Sequence, residues 1–309
     1  MRRDPLLLGA LLLAVASLVA AMSLGSTGPA PSLEPTGPHR PATRVVSLLP
    51  SLTEITAAVG AAECLVGRSS FCTEPAELCS RVPAVGGLLE PSLEKILALQ
   101  PDLVLLPQGL GLLEDPLRVA GIASRYCTTD SLFGLEHTIL EIGRVTDHEG
   151  EARALAALLR QRILSLRQAG QERGTSPRVL LVVGHRMDEL EPLSVAGRTT
   201  LHGELLALAG ADNVIRGVGW PTIGREALLR LNPEIIIDLM APGTETPPHP
   251  ERVLALWGEL QALPAVRQGR VYCRQETAHV VPGPRLATSP VLRDLAAMLD
   301  GTASQVSME

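Results

Sequence analysis

The chain has 309 residues, 46% of them hydrophobic, enough for two cores at roughly 100–200 residues per domain. Aromatic side chains make up 2%, six residues in all, so those cores must be aliphatic and few rings are left to stack on a ligand. A formal net charge of −6, from 27 basic against 33 acidic residues, supplies no basic stripe to neutralise a phosphate backbone and argues against nucleic-acid binding.

The first element is an address. Arg2 and Arg3 precede an uncharged Leu/Ala/Val-rich run from Pro5 to Gly25, which predicts a signal peptide or an uncleaved N-terminal membrane anchor over residues 1–25 and a periplasmic or other extracytoplasmic location. No Cys lies near the end of that run, so a diacylglycerol-anchored lipoprotein is not indicated. Residues 26–42 hold five Pro among Ser, Thr and Gly and read as a solvated linker. Folding is expected to start near Thr43.

From there the chain repeats itself. Arg44-Val-Val-Ser-Leu-Leu49 and Arg178-Val-Leu-Leu-Val-Val183 are short apolar runs with the look of buried parallel strands. Glu94-Lys-Ile-Leu-Ala-Leu-Gln-Pro101-Asp102 and Glu226-Ala-Leu-Leu-Arg-Leu-Asn-Pro233-Glu234 share one grammar: an acid, an apolar helical face, a Pro, a second acid, then a strand. Arg125-Tyr126-Cys127 and Val271-Tyr272-Cys273 are a further echo, one per closing strand. Between the two halves, Asp147 to Arg173 runs without Pro and carries Ala152, Leu155, Ala156, Leu159, Ile163 and Leu166 at helical spacing, one long amphipathic helix. The expected organisation is an α/β fold with an N-terminal lobe over 43–146, a connecting helix over 147–175 and a C-terminal lobe over 176–309.

Parallel α/β sheets bind ligands outside the carboxyl ends of their strands, so two such lobes predict a cleft between them. The first lobe offers Leu49-Pro50-Ser51-Leu52-Thr53-Glu54, where Ser51 either caps the following helix or meets ligand, and Ser69-Ser70-Phe71-Cys72 after a short strand from Leu65 to Gly67. The second offers loops at Gly184-His185-Arg186, Gly219-Trp220-Pro221 and His279 to Arg285. Of the five cysteines, Cys72 and Cys79 could close a small disulfide, while Cys127 and Cys273 read as buried thiols. No Cys-x-x-Cys, His-Glu-x-x-His, phosphate loop or nucleophile elbow occurs, which argues against a metal centre or an enzyme.

Arg44-Val-Val-Ser-Leu-Leu-Pro-Ser-Leu-Thr-Glu-Ile, Gly67-Arg-Ser-Ser-Phe-Cys-Thr-Glu-Pro75, Pro91-Ser-Leu-Glu-Lys-Ile, Gly203-Glu-Leu-Leu-Ala-Leu-Ala-Gly and Pro282-Gly-Pro-Arg285 resemble the solute-binding proteins of ABC importers for cobalamin and ferric siderophores, most nearly the cobalamin branch. The resemblance runs from about Thr43 to Leu299. It implies two Rossmann-like lobes with parallel sheets joined by one long helix, a monomer that takes cobalamin or another metal chelate as transported ligand, with no cofactor, and an ABC permease as partner. It implies that Glu94 and Glu226, one acid per lobe in the first helical turn, dock onto permease arginines. Their alternative role is plain helix capping, worth about 0.3–1 kcal/mol each. Trp220 and Phe71 match positions where cobalamin binders place rings, and Ser51, Gln108, His185, His279 and Arg285 complete the expected ligand contacts. Where cobalamin binders carry further aromatics this chain has Leu88 and Pro107-Gln108. Ferric-siderophore or haem binding is the alternative ligand reading, and a membrane-tethered ligand sensor the alternative function.

Overall fold

A computed structural model describes residues 40–87, 90–108, 110–186, 189–239, 249–274 and 283–307. The expected signal or anchor and nearly all of the expected linker lie outside the described residues, as do Leu88 and His279. The chain divides into two compact units. The N-unit holds the described residues up to Gln161 together with Gly283–Thr288, and the C-unit holds those from Arg162 on without that segment. The division therefore falls inside the long helix, between the expected boundaries at 146 and 175, and a short late segment packs with the N-unit.

The N-unit contains strands β1 (Val45–Ser47), β2 (Leu65–Arg68), β3 (Leu103–Pro107) and β4 (Ala123–Cys127), and helices α1 (Pro50–Ala58), α2 (Ala76–Arg81), α3 (Leu93–Ala98), α4 (Glu114–Val119) and α5 (Leu132–Val145). Its sheet has the order β2-β1-β3-β4, and each pairing within it is parallel. Strands buried on both faces need continuous apolar runs, and β1 and β3 supply them: Val46, Leu48, Val104 and Leu106 turn to one side and pack with Val85, Ile96 and Leu117. A fully buried Val, Leu or Ile contributes about 1.5–3 kcal/mol, so a core without rings loses little.

Helix α6 (Glu149–Arg173) follows. It starts two residues later than Asp147, because Asp147 sits at φ 63°, a left-handed turn that no helix continues through. Its buried stripe is Ala152, Leu155, Ala156, Leu159 and Leu166, and at about 1.5 Å per residue it extends some 37 Å.

In the C-unit the strands are β5 (Arg178–Arg186), β6 (Glu189–Val195), β7 (Asp212–Asn213), β8 (Thr222–Ile223), β9 (Ile235–Asp238), β10 (Val271–Arg274) and β11 (Val306–Ser307). The helices are α7 (Leu201–Leu208), α8 (Arg225–Leu231), α9 (Pro250–Gly258), α10 (Pro264–Arg267) and α12 (Val291–Asp300), while α11 (Arg285–Thr288) belongs to the N-unit. The strand order is β11-β10-β9-β5-β6-β8, with β7 pairing the start of β5. Here the expectation of a purely parallel sheet is corrected. β5 to β11 pair in parallel, but β6 folds back antiparallel on β5 and β8 antiparallel on β6. The cause is local: only two residues separate β5 from β6, far too few for the helical crossover that a parallel neighbour requires. The core is mostly aliphatic; its rings are Trp257, fully buried in a cluster with Val182, Leu193 and Val253, and Tyr272 on β10.

The internal repeat holds at the level of single atoms. In the N-unit the Asp102 carboxylate accepts from the Thr43 and Arg44 backbone N–H groups at 2.8 and 3.0 Å, and the Arg44 guanidinium donates to Leu99 O and Gln100 O. In the C-unit Glu234 accepts from Arg178 N at 2.9 Å, and the Arg178 guanidinium donates to Leu231 O. The helix preceding each acid ends in a left-handed residue, Gln100 at φ 48° and Asn232 at φ 46°, just before the repeated Pro. Each unit thus ties the start of its first strand to the end of one helix through an Arg and an acid.

Candidate functional site

The carboxyl ends of the N-unit strands gather the expected contact residues. Ser51 follows β1, Phe71 follows β2 and Gln108 follows β3, where it is exposed. Ser51 does not cap α1. Pro50 opens the helix and Leu49 occupies the cap position, which turns the buried Ser51 Oγ toward Thr129 Oγ1 at 3.1 Å and joins the loops after β1 and β4.

A buried hydroxyl and thiol cluster anchors the Phe71 loop. Thr53 Oγ1 lies 2.9 Å from Ser47 Oγ and 3.1 Å from Cys72 Sγ, and Ser69 Oγ accepts from Phe71 N at 3.1 Å. Phe71 itself is 47% exposed, and its edge runs beside Gly87. At Gly86, φ is 124° and a Cβ would meet Glu90 O at 2.7 Å, so this turn next to the ring needs glycine. Cys72 and Cys79 are both free, correcting the possible disulfide; the Cys72 thiol is taken up in the Thr53 and Ser69 cluster. Cys127 and Cys273 are buried thiols in strands, as expected, and burial pushes Cys127 up to about 12.

Arg285 does not stand open. Its Nε and Nη2 donate to the two carboxylate oxygens of Glu54 on α1, at 2.8 Å each. Burial raises the Glu54 carboxyl above its ordinary range, against the pull of the Arg285 charge. The planar fork pairs both oxygens at once, a strong form of charge-assisted bond.

In the C-unit His185 lies within β5 rather than on a loop, because β5 runs three residues further than the apolar run alone suggests. Its Nδ1 donates to Arg186 O at 2.6 Å and its Nε2 lies 3.1 Å from Asp238 Oδ2. Both neighbours only accept, so both ring nitrogens carry protons and neither has a lone pair to give a metal. Burial alone would depress the imidazolium, but the hydrogen bond and charge of Asp238, with backbone carbonyl partners, push it up to about 8. The same Asp238 oxygen accepts from Trp257 Nε1 at 2.8 Å.

Trp220 is the half-buried ring of this unit. Residues 217–221 run beside 195–198 through Val195 N to Pro221 O, Gly197 N to Gly219 O and Arg198 N to Gly217 O. This holds the indole edge-on to His202 at the start of α7, with ring centroids 5.6 Å apart and planes at 69°.

Glu94 and Glu226 occupy equivalent places. Each is the second residue of its helix, α3 or α8, with its side chain exposed. Ser92 caps α3 through Lys95 N, whereas Gly224 gives α8 no side-chain cap. Glu226 pairs with Arg230 at 3.0 Å, and Glu94 makes no ion pair among the described residues. Both acids stand in the first turn of their helices, where a carboxylate also favours the helix dipole.

Residues 45–277 match the family model described as periplasmic binding protein. The chain belongs to this family. It is therefore a solute-binding protein rather than an enzyme. This binding protein is 28% identical over 269 residues to a protein named vitamin B12-binding protein from Pectobacterium carotovorum, an alignment covering 84% of this chain and 91% of that one. A periplasmic heme binding protein from Pseudomonas aeruginosa superposes with a TM-score of 0.71 at 28% identity, over 85% of this chain and 94% of the other. The periplasmic vitamin B12 binding protein of Vibrio cholerae shares the fold, with a TM-score of 0.70 at 22% identity over 85% and 98% of the two chains. Among the described residues no helix is long and apolar enough to cross a membrane.

Glu54, Asp238 and His202 carried no role in the sequence. Asp238 and Glu54 had a detectable signal, an acid inside an otherwise apolar strand and an acid on the apolar side of α1, but their partners lie 53 and 231 positions away.

Proposed function

We propose that the chain captures a corrinoid, cobalamin in the first instance, outside the cytoplasm and hands it to the permease of an ABC importer. The observation that carries this is the 28% identity, across 84% of the chain, to a protein named for binding vitamin B12. Phe71 and Trp220 each offer a ring to the flat, apolar parts of such a ligand, and the exposed Gln108 offers a polar contact, while the buried Ser51 acts behind the surface through Thr129. Arg285 acts chiefly through Glu54, holding the α1 wall in place. Glu94 and Glu226 dock the loaded protein on the permease, a contact that favours orientation and capture rate more than affinity. Residues 5–25 direct export and are either removed or kept as a tether.

Haem is the second reading, favoured by the likeness to the Pseudomonas aeruginosa protein. On either reading His185 is excluded as an axial ligand because Arg186 and Asp238 hold both its nitrogens. The test is genetic: a strain lacking this chain loses uptake of radiolabelled cyanocobalamin and recovers it when the chain is restored. Undiminished uptake in the deletion strain overturns the proposal.

A further inference from the structure

Strand β6 outruns its outer neighbour. β8 pairs it only at Leu193 and Ser194, leaving Glu189 to Glu191 beyond the end of β8. There β6 forms one wall of a groove of about 290 Å³, and helices α8 and α9 form the others. Its apolar surface comes from the half-buried Leu190 and Leu256, which lie over the buried Leu228 and Leu260. Its rim is acidic: Glu189, Glu191 and Glu259 stand against Arg225. Arg186 offsets Glu189 at 3.5 Å, while Glu191 and Glu259 make no ion pair among the described residues. Small-molecule sites fall mostly at about 300–1,000 Å³, so this space lies at the lower edge of that range, small for a bulky chelate and able to hold a few side chains.

We propose that this groove receives a short segment of the permease that carries an Arg or Lys beside an aliphatic residue. The aliphatic side chain covers the open parts of Leu190 and Leu256 while the cation meets Glu191 and Glu259. The proposal rests on the permease-docking reading above and extends it, because Arg225 of the groove directly precedes Glu226 on α8. A single exposed acid fixes little orientation by itself. An apolar slot with unbalanced acidic walls next to it adds register, and complementary charge raises the rate of productive encounter.

The test uses the full chain in intact cells with Leu256→p-benzoylphenylalanine, a photoreactive residue on the groove wall. Illumination should yield a cross-linked peptide from an extracytoplasmic loop of an ABC permease with Arg or Lys within two residues of an aliphatic one. Adding Glu191→Lys and Glu259→Lys should cut that yield at least fivefold while the thermal midpoint stays within about 2 °C. If the reversed pair unfolds the protein, Glu191→Gln with Glu259→Gln should give a smaller fall in the same direction. No permease cross-link, a cross-linked segment without a basic residue, or a yield indifferent to these substitutions overturns the proposal. Glu94→Ala with Glu226→Ala forms a separate arm. Uptake that survives it removes the docking role of that pair, whereas the groove stands or falls on its own cross-link.

Discussion

Arg285 reaches back 231 positions along the chain to grip both carboxylate oxygens of Glu54, which is 5% exposed. Removing one partner of a buried pair strands the other charge, which costs about 3–5 kcal/mol, whereas replacing both by apolar groups of similar volume is far cheaper. Arg285→Ala should therefore destabilise the protein by about 3 kcal/mol in urea unfolding, and Glu54→Leu with Arg285→Met should recover most of the loss. A loss under about 1 kcal/mol for Arg285→Ala would show that the pair is not holding the segment.

The His185 and Asp238 pair makes stability depend on pH with a definite sign. Folding raises the imidazolium from 6.5 to about 8, so the folded protein holds the proton more tightly than the unfolded chain. The contribution is complete below about pH 6.5 and fades as the pH rises through about 8, and at about 1.4 kcal/mol per pH unit it amounts to about 2 kcal/mol. The stability gap between the native chain and His185→Gln should narrow by roughly that amount between pH 6 and pH 9. A gap that stays constant across this range contradicts the assignment.

The docking role proposed for Glu94 and Glu226 separates binding from transport. Glu94→Ala with Glu226→Ala should reduce cyanocobalamin uptake at least tenfold and leave ligand affinity unchanged, with the thermal midpoint lowered by no more than a few degrees, because both side chains are exposed and contribute only the small first-turn stabilisation. Uptake at the native level, measured with equal amounts of exported protein, sinks the assignment.

Two tryptophans make the ligand contact readable. Trp257 is fully buried and bonded to Asp238, while Trp220 is half-buried against His202. Quenching by a bound corrinoid should fall mainly on Trp220, so Trp220→Phe should abolish most of the signal and weaken binding, as should Phe71→Ala for affinity. Quenching that persists in full in Trp220→Phe moves the ligand away from this ring.

The repeat was legible because it is written locally: the strand, helix, Pro and acid that build the Arg44 and Arg178 knots lie within about 60 residues of one another. The long helix was legible for the same reason, an apolar stripe at one period uninterrupted by Pro. The β6 and β8 turn-back was not, since alternating residues such as Glu189-Leu190-Glu191 fit an edge strand or a loop equally until the two-residue connection to β5 is seen. At the site, Phe71 and Trp220 stood out because rings are so few, and each proves to be set in a loop and partly open to solvent. His185 misled for a physical reason. A histidine near the end of an apolar strand can face a ligand or a buried carboxylate, and the acid that decides the matter, Asp238, is on another strand.

Calorimetric titration of the purified chain with cyanocobalamin decides whether this binding protein takes a corrinoid. The predicted result is one site with a Kd below about 1 μM, a binding free energy beyond about −8 kcal/mol. Hemin titrated in parallel should bind at least tenfold more weakly. No cyanocobalamin binding at 100 μM, or hemin binding more tightly than cyanocobalamin, would contradict the claim.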